Sequence, residues 1–259
     1  MFVTMENNGT MHGMQISRGA ARRFEPTTYY SELGGGVSVL CHPARLAGRP
    51  MRVALLGMGV GTMAYYGRTG DVYRFFEINP NVISFAQDPK YFTFLSKSLA
   101  RIEVKEGDAR KLLEEESRSG EAKYDLIVVD VFSGDSIPVH LATVEAMRLY
   151  LDRLAPGGMV AMHLTNWHLD LLPVVKSLAE SVGLKLRAVK GTTSVDEVDF
   201  LWAYLSREDP PLRLKRDVQQ EVDISRVASG RLLTDDHHSL VGHLTSTPMT
   251  NLVFLPSGE

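Results

Sequence analysis

The chain has 259 residues, 44% of them hydrophobic and 23% charged, which is ordinary globular composition and enough length for one sizeable core with a small appendage. Its 28 Lys and Arg against 31 Asp and Glu leave a formal charge of -3, so nothing electrostatic draws it to a nucleic-acid backbone, and no nucleic-acid partner is expected. Cys41 is the single cysteine, which excludes an internal disulfide and a multi-cysteine zinc site and fits a reducing, cytoplasmic compartment.

The opening MFVTMENNGTMHGMQ has neither a basic start nor an apolar stretch of signal length, so no export is expected. Nowhere do about 18 apolar residues run unbroken, so a soluble protein without a membrane partner is expected. Residues 1–49 carry Gly9, Gly13, Gly34, Gly35 and Gly36 and no long helical period, which reads as a small β-rich arm. Residues 50–259 read as a Rossmann-like nucleoside-binding catalytic domain, with the boundary near Gly48 to Pro50.

From Met51 onward, short β-branched or apolar runs alternate with stretches of helical period, the pattern of a parallel sheet covered on both faces. Strands are expected at 52–56, 72–78, 102–105, 125–131 and 159–164. Helices are expected to begin near Gly61, Pro80, Ala109 and Leu141, with another from Leu169 to Gly183. The runs 184–189 and 200–206 lie too close together for a helix between them, so they are expected to pair antiparallel and to finish a seven-stranded sheet. Pro210 and Pro211 in a charged stretch mark an exposed connection.

The first strand runs into Gly57-Met58-Gly59-Val60-Gly61, a glycine turn whose missing side chains let a backbone approach a ligand. Glu77 follows Gly57 by 20 residues, placing an acceptor for two ribose hydroxyls at the next strand end. Gly107-Asp108-Ala109 follows the third strand; its carboxylate either accepts from an adenine amino group or caps the next helix. A nicotinamide dinucleotide would use the same turn and acid, but its GxGxxG fingerprint requires a glycine where Thr62 stands. A single nucleoside therefore fits better.

The fourth strand ends in Asp130, followed by Ser133-Gly134-Asp135-Ser136-Ile137-Pro138. With the glycine turn, Glu77-Ile78-Asn79 and Gly107-Asp108-Ala109, the sequence resembles the spermidine synthase-like family of polyamine aminopropyltransferases over roughly Asn8 to Leu240. The resemblance implies a doubly wound, mostly parallel α/β sheet like that of class I methyltransferases. It also implies S-adenosylmethionine or its decarboxylated form as co-substrate without a metal, a small amine as acceptor, and a homodimer or homotetramer. Asp130 matches the family's catalytic acid, which orients and deprotonates the attacking amine. Gly57, Gly59, Gly61, Glu77, Ile78, Asp108, Ala109 and Gln15 match its donor site, and Tyr30 and Asp135 its acceptor site.

One departure bears on the donor: where the family's turn carries an aspartate for the donor's amino group, this chain has Val60. Ordinary S-adenosylmethionine with methyl transfer, another acid for that amine, or a catalytically silent scaffold therefore stay open. Thr234-Asp235-Asp236-His237-His238 is the most polar cluster, but adjacent residues rarely chelate one ion together, so no metal is expected. Asp235 is expected either over the cleft or in a surface turn. His140, His163 and His168 follow strand ends, within reach of the cleft, but such histidines are more often structural, and they are assigned no role.

Overall fold

The computed structural model describes residues 2–7, 10–16, 24–131, 138–166, 168–193, 198–215, 217–237 and 239–240. Alternating side chains and a glycine at Gly13 let the amino-terminal arm fold as an antiparallel hairpin, β1 (Phe2–Asn7) and β2 (Thr10–Ile16). A 3-10 turn at Thr28–Tyr30 and two short helices, α1 (Gly36–Leu40) and α2 (Pro43–Leu46), then lead into the sheet.

Four further strands run parallel to β3 (Arg52–Leu56) or to its neighbours: β4 (Val72–Glu77), β5 (Arg101–Glu106), β6 (Tyr124–Val129) and β7 (Leu154–His163). They coincide with the five expected runs, with shifted ends. β8 (Lys185–Thr192) and β9 (Asp199–Ser206) pair antiparallel as their spacing requires, and β9 also lies antiparallel to β7. Among the described residues the sheet has eight strands rather than seven. Gln219–Glu221, too short and polar to read as a strand, adds β10 to the outer edge of β8.

The strand order is β10-β8-β9-β7-β6-β3-β4-β5. From β3 the chain winds outward through β4 and β5, then returns to β6 on the other side of β3. The switch between β3 and β6 opens a crevice at the carboxyl ends of these strands, where ligands of open α/β sheets bind.

Period-two alternation assigns the two faces. Val53, Leu55, Tyr73, Phe75, Leu126 and Val128 point into one buried cluster with Val37, Val39, Met63 and Phe94, so that face is covered by the amino-terminal segment and by α3 (Pro80–Gln87) and α4 (Phe94–Lys97). Ala54, Leu56, Phe76, Ile127 and Val129 point the other way, against α5 (Ala109–Ser119), α6 (Val144–Arg153) and α7 (Leu172–Val182). Helices α5 and α7 stop where Gly120 and Gly183 turn left-handed. The helix expected at Gly61 is only a five-residue 3-10 segment, Thr62–Tyr66. No helix among the described residues is long and apolar enough to cross a membrane.

Candidate active site

A cavity of ≈ 330 Å³ lies at the switch point, and its walls come from strand ends and the turns that follow them. Gly57, Met58 and Gly59 supply one wall, Glu77 to Asn79 the next, Gly107 to Ala109 the third, and Asp130 with Val131 the fourth. His12, Tyr29 and Tyr30 from the amino-terminal segment, and Pro138, His140 and Leu141, complete it.

The glycine turn is close-packed from behind. A Cβ on Gly57 would lie 2.3 Å from the Asp130 carbonyl oxygen, and one on Gly59 would lie 2.4 Å from the His12 carbonyl oxygen. Both residues also have left-handed φ, 90° and 51°, so side chains are excluded by conformation as well as by space. Hairpin, β3 turn and β6 end are thereby held together at van der Waals distance around the cavity.

Glu77 is fixed by two backbone donors: Met58 N–H to Oε2 at 3.0 Å and Asn79 N–H to Oε1 at 2.9 Å. Each oxygen retains further acceptor capacity. Beside it, Ile78 is 68% exposed, an apolar surface on the cavity wall. Asp108 caps α5 by accepting from Lys111 N–H at 3.0 Å, and its other oxygen meets His140 Nε2 at 2.8 Å. Burial pushes its carboxyl upward, but the Lys111 N–H and His140 outweigh that and hold it below the ordinary carboxylate range. The helix-cap role therefore holds while the residue still faces the cavity.

Asp130 follows the last residue of β6, and its backbone N–H extends the ladder to Leu56 O at 2.9 Å. Its side chain is 7% exposed. Oδ2 accepts from the Tyr30 hydroxyl, and Oδ1 lies 2.8 Å from His163 Nδ1. Burial, followed by the Asp130 charge, raises the Tyr30 phenol well above its usual range, so it stays protonated and donates. Thr28, just before the two tyrosines, is the one non-glycine residue in the left-handed region among the described residues, at φ 55°. That backbone turn delivers Tyr29 and Tyr30 to the cavity.

Of the residues singled out in the sequence, Gly57, Gly59, Glu77, Ile78, Asp108, Ala109, Asp130 and Tyr30 meet on one cavity. Gln15 does not line it; its amide exchanges two hydrogen bonds with Thr93, both 2.8 Å. Gly61 faces α4, where a Cβ would come 2.7 Å from Leu95 Cδ2. Val60 is fully buried, its methyl 2.8 Å from a Cβ placed on Gly13, so it seats the hairpin rather than facing a ligand. Asp235 lies outside the lining and makes a two-pronged pair with Arg110, 2.7 and 2.5 Å, plus a bond from Thr143 Oγ1 at 2.8 Å. Asp135 falls outside the described residues.

His163, His140 and His12 are additions that spacing alone did not assign. For His163 a signal existed: it ends β7, the parallel neighbour of β6, and register puts it beside the residue after Val129.

No family model matches the chain. It is 30% identical over 117 residues to the polyamine aminopropyltransferase of Vibrio vulnificus (strain CMCP6), a match that covers 43% of this chain and 37% of that relative. Among solved structures, spermidine synthase from Thermotoga maritima superposes with a TM-score of 0.54 at 15% identity, covering 91% of this chain and 75% of that one. Human methyltransferase-like protein 13 in complex with SAH superposes with a TM-score of 0.51 at 18% identity, covering 70% and 83% of the two chains.

Proposed function

We propose that the chain, which has the fold shared by spermidine synthases and methyltransferases and resembles the polyamine aminopropyltransferases in sequence, is a transferase moving an aminopropyl group from decarboxylated S-adenosylmethionine to a di- or polyamine. The observation that carries the reading is Asp130, a buried carboxylate held on both oxygens at the mouth of the sheet, one strand from the glycine turn.

The lining favours a cationic ligand. Glu77, Asp108 and Asp130 face the cavity, and no lysine or arginine stands among its described lining residues. A sulfonium donor and an alkylammonium acceptor are both attracted by such a wall, whereas a donor carboxylate finds neither lysine nor arginine among the described lining residues. Glu77 would hold the ribose hydroxyls, Ile78 the face of the base, and the Asp108-Ala109 turn its amino edge. Gly57 and Gly59 leave the backbone bare beside the donor.

A carbon bonded to sulfonium sulfur is the electrophile the donor supplies. Asp130 aligns the acceptor amine and takes the proton that this amine must lose, so that the nitrogen lone pair is free to form the new bond as the carbon–sulfur bond breaks onto sulfur. Tyr30, donating to Oδ2, fixes the carboxylate plane, and Asp135 is proposed for the distal ammonium of the acceptor. A second reading is methyl transfer from S-adenosylmethionine, because the fold is shared with methyltransferases and the glycine turn lacks the aspartate that the aminopropyltransferase family carries there.

Incubation with each donor and a panel of diamines and polyamines, with nucleoside products weighed by mass spectrometry, tests the proposal. Methylthioadenosine formed only with the decarboxylated donor supports it. Adenosylhomocysteine replaces it with methyl transfer, and neither product refutes both.

A further inference from the structure

The reading above uses Asp130 but leaves unexplained the residue that holds its other oxygen. His163 is 1% exposed and lies inside the aromatic core, stacked on Tyr29 with ring centroids 3.8 Å apart and planes 18° from parallel. Trp202, opposite it in the β7–β9 ladder, has its ring centroid 5.0 Å away. The indole N–H of Trp202 donates to Tyr29 O at 2.9 Å, which ties the two flanking rings to each other. The imidazole is therefore clamped in place.

Its hydrogen bonding does not fit a packing role. Nδ1 faces Asp130 Oδ1 at 2.8 Å, while Nε2 is buried with no hydrogen-bond partner among the described residues. A histidine kept only for volume would be replaced to advantage by Phe or Leu, which leave no polar atom stranded in an apolar stack. The stranded nitrogen is tolerated at a position whose other nitrogen reaches the one carboxylate that ends β6. Because that carboxylate is an acceptor, Nδ1 carries a proton toward it.

We propose that His163 is the positioning residue of the acceptor site: its Nδ1–H, clamped between Tyr29 and Trp202, sets the plane of the Asp130 carboxylate so that its remaining lone pairs face the incoming ammonium. This rests on the proposed role of Asp130. Tyr30 alone fixes one oxygen and leaves the carboxylate free to swing about that bond. A second donor on the other oxygen removes this freedom before substrate arrives, which is preorganisation of a kind that affects acceptor alignment and leaves the nucleoside walls untouched.

The test compares His163→Phe, which keeps the stacked ring and loses the donor, with His163→Asn, whose amide nitrogen stands on Cγ where Nδ1 stood. Putrescine binding to the methylthioadenosine complex, read by calorimetry, should weaken by ~10-fold or more in His163→Phe, with methylthioadenosine affinity held within ~2-fold, and His163→Asn should recover most of the loss. Wild-type putrescine affinity in His163→Phe, or equal loss in both variants, overturns the proposal. A second measurement needs neither turnover nor a foldable variant at position 163. In histidine-15N-labelled wild-type protein, Nδ1 of His163 should carry the proton, and its resonance should move in Asp130→Asn. An unprotonated Nδ1, or a resonance indifferent to Asp130→Asn, overturns the pairing. If the wild-type chain transfers nothing and binds no diamine, the transferase reading fails, and the nitrogen spectrum still decides whether His163 orients Asp130.

Discussion

At the amino-terminal edge of the sheet, carboxylates meet arginines, whereas, among the described residues, those lining the cavity at the carboxyl edge do not. Asp71 pairs with Arg45 at 2.7 Å, and Arg74 gathers Glu103 at 2.6 Å, Glu121 at 2.5 Å and the buried Glu116. At the other edge, Glu77 accepts from backbone N–H groups, Asp130 from a tyrosine and a histidine, and Asp108 from a backbone N–H and a histidine. The first set is neutralised within the protein and serves the fold. The second set is oriented but not neutralised by a permanent cation, which leaves its charge for a ligand.

The contrast breaks most visibly at Asp130. Asp130→Asn keeps shape and loses charge, so turnover should fall by roughly 100-fold to 10,000-fold while nucleoside affinity barely moves. Single-turnover rates beside methylthioadenosine titrations check this, and loss of rate through loss of nucleoside binding would move Asp130 to the donor side. Arg74→Ala is the counterpart at the opposite edge. It removes the partner of one oxygen of Glu116, whose side chain is 6% exposed and keeps the Tyr124 hydroxyl at 2.7 Å and Arg153 at 3.6 Å on the other, and should lower stability by about 1.5–3 kcal/mol. Denaturant unfolding measures that change, and an accompanying change in methylthioadenosine affinity would blur the division between the two edges.

Most of the sheet was legible because a strand buried on both faces reads as a near-continuous apolar run, as 53–56 and 126–129 are, and as 72–76 is apart from Arg74. The cavity walls were legible for a related reason: ligands sit at carboxyl strand ends, so Gly57, Glu77, Asp108 and Asp130 announce themselves by following strands. What spacing could not show is which way a side chain faces in a tight turn. Val60 and Gly61 belong to the same glycine turn as Gly57 and Gly59, yet they pack on Gly13 and Leu95. Likewise Gln15 sits one strand residue from Met14 on the hairpin, and the Thr93 pairing that claims its amide spans 78 residues. Val60→Asp sharpens the point: it should bury a carboxylate against the hairpin and lower the melting temperature, leaving the ratio of affinities for the two donors unchanged.

Glu77 belongs to the ligand edge but also supports the turn through Met58 N–H and Asn79 N–H. Glu77→Ala should weaken methylthioadenosine binding by about 2–4 kcal/mol, the loss of two hydrogen bonds to a charged acceptor. Glu77→Gln retains an acceptor oxygen and should lose less. Calorimetry on both variants separates the ribose contribution from turn disorder, and an unchanged dissociation constant in Glu77→Ala would remove the residue from the donor site.

Asp235 tests the comparison at its margin, since it pairs with an arginine yet lies near the carboxyl edge, beside the Asp108–His140 contact. Hydrogen bonding from Arg110, the largest influence, holds its carboxyl below the ordinary range; burial, the next largest, opposes it, and Thr143 and the Arg110 charge add to the lowering. A carboxyl lowered in the folded state stabilises the fold above its unfolded pKa of about 3.9, and that contribution disappears as pH falls through the lower folded value. Asp235 has a side chain 41% exposed, so solvent screens the pair and the stabilisation should stay within about 1 kcal/mol. Asp235→Asn should therefore lower stability slightly at neutral pH and converge with the wild type in strong acid. Urea unfolding of both proteins between neutral pH and acid reads the difference directly. If the gap widened on acidification, the Arg110 pair would not be what ties this segment to α5.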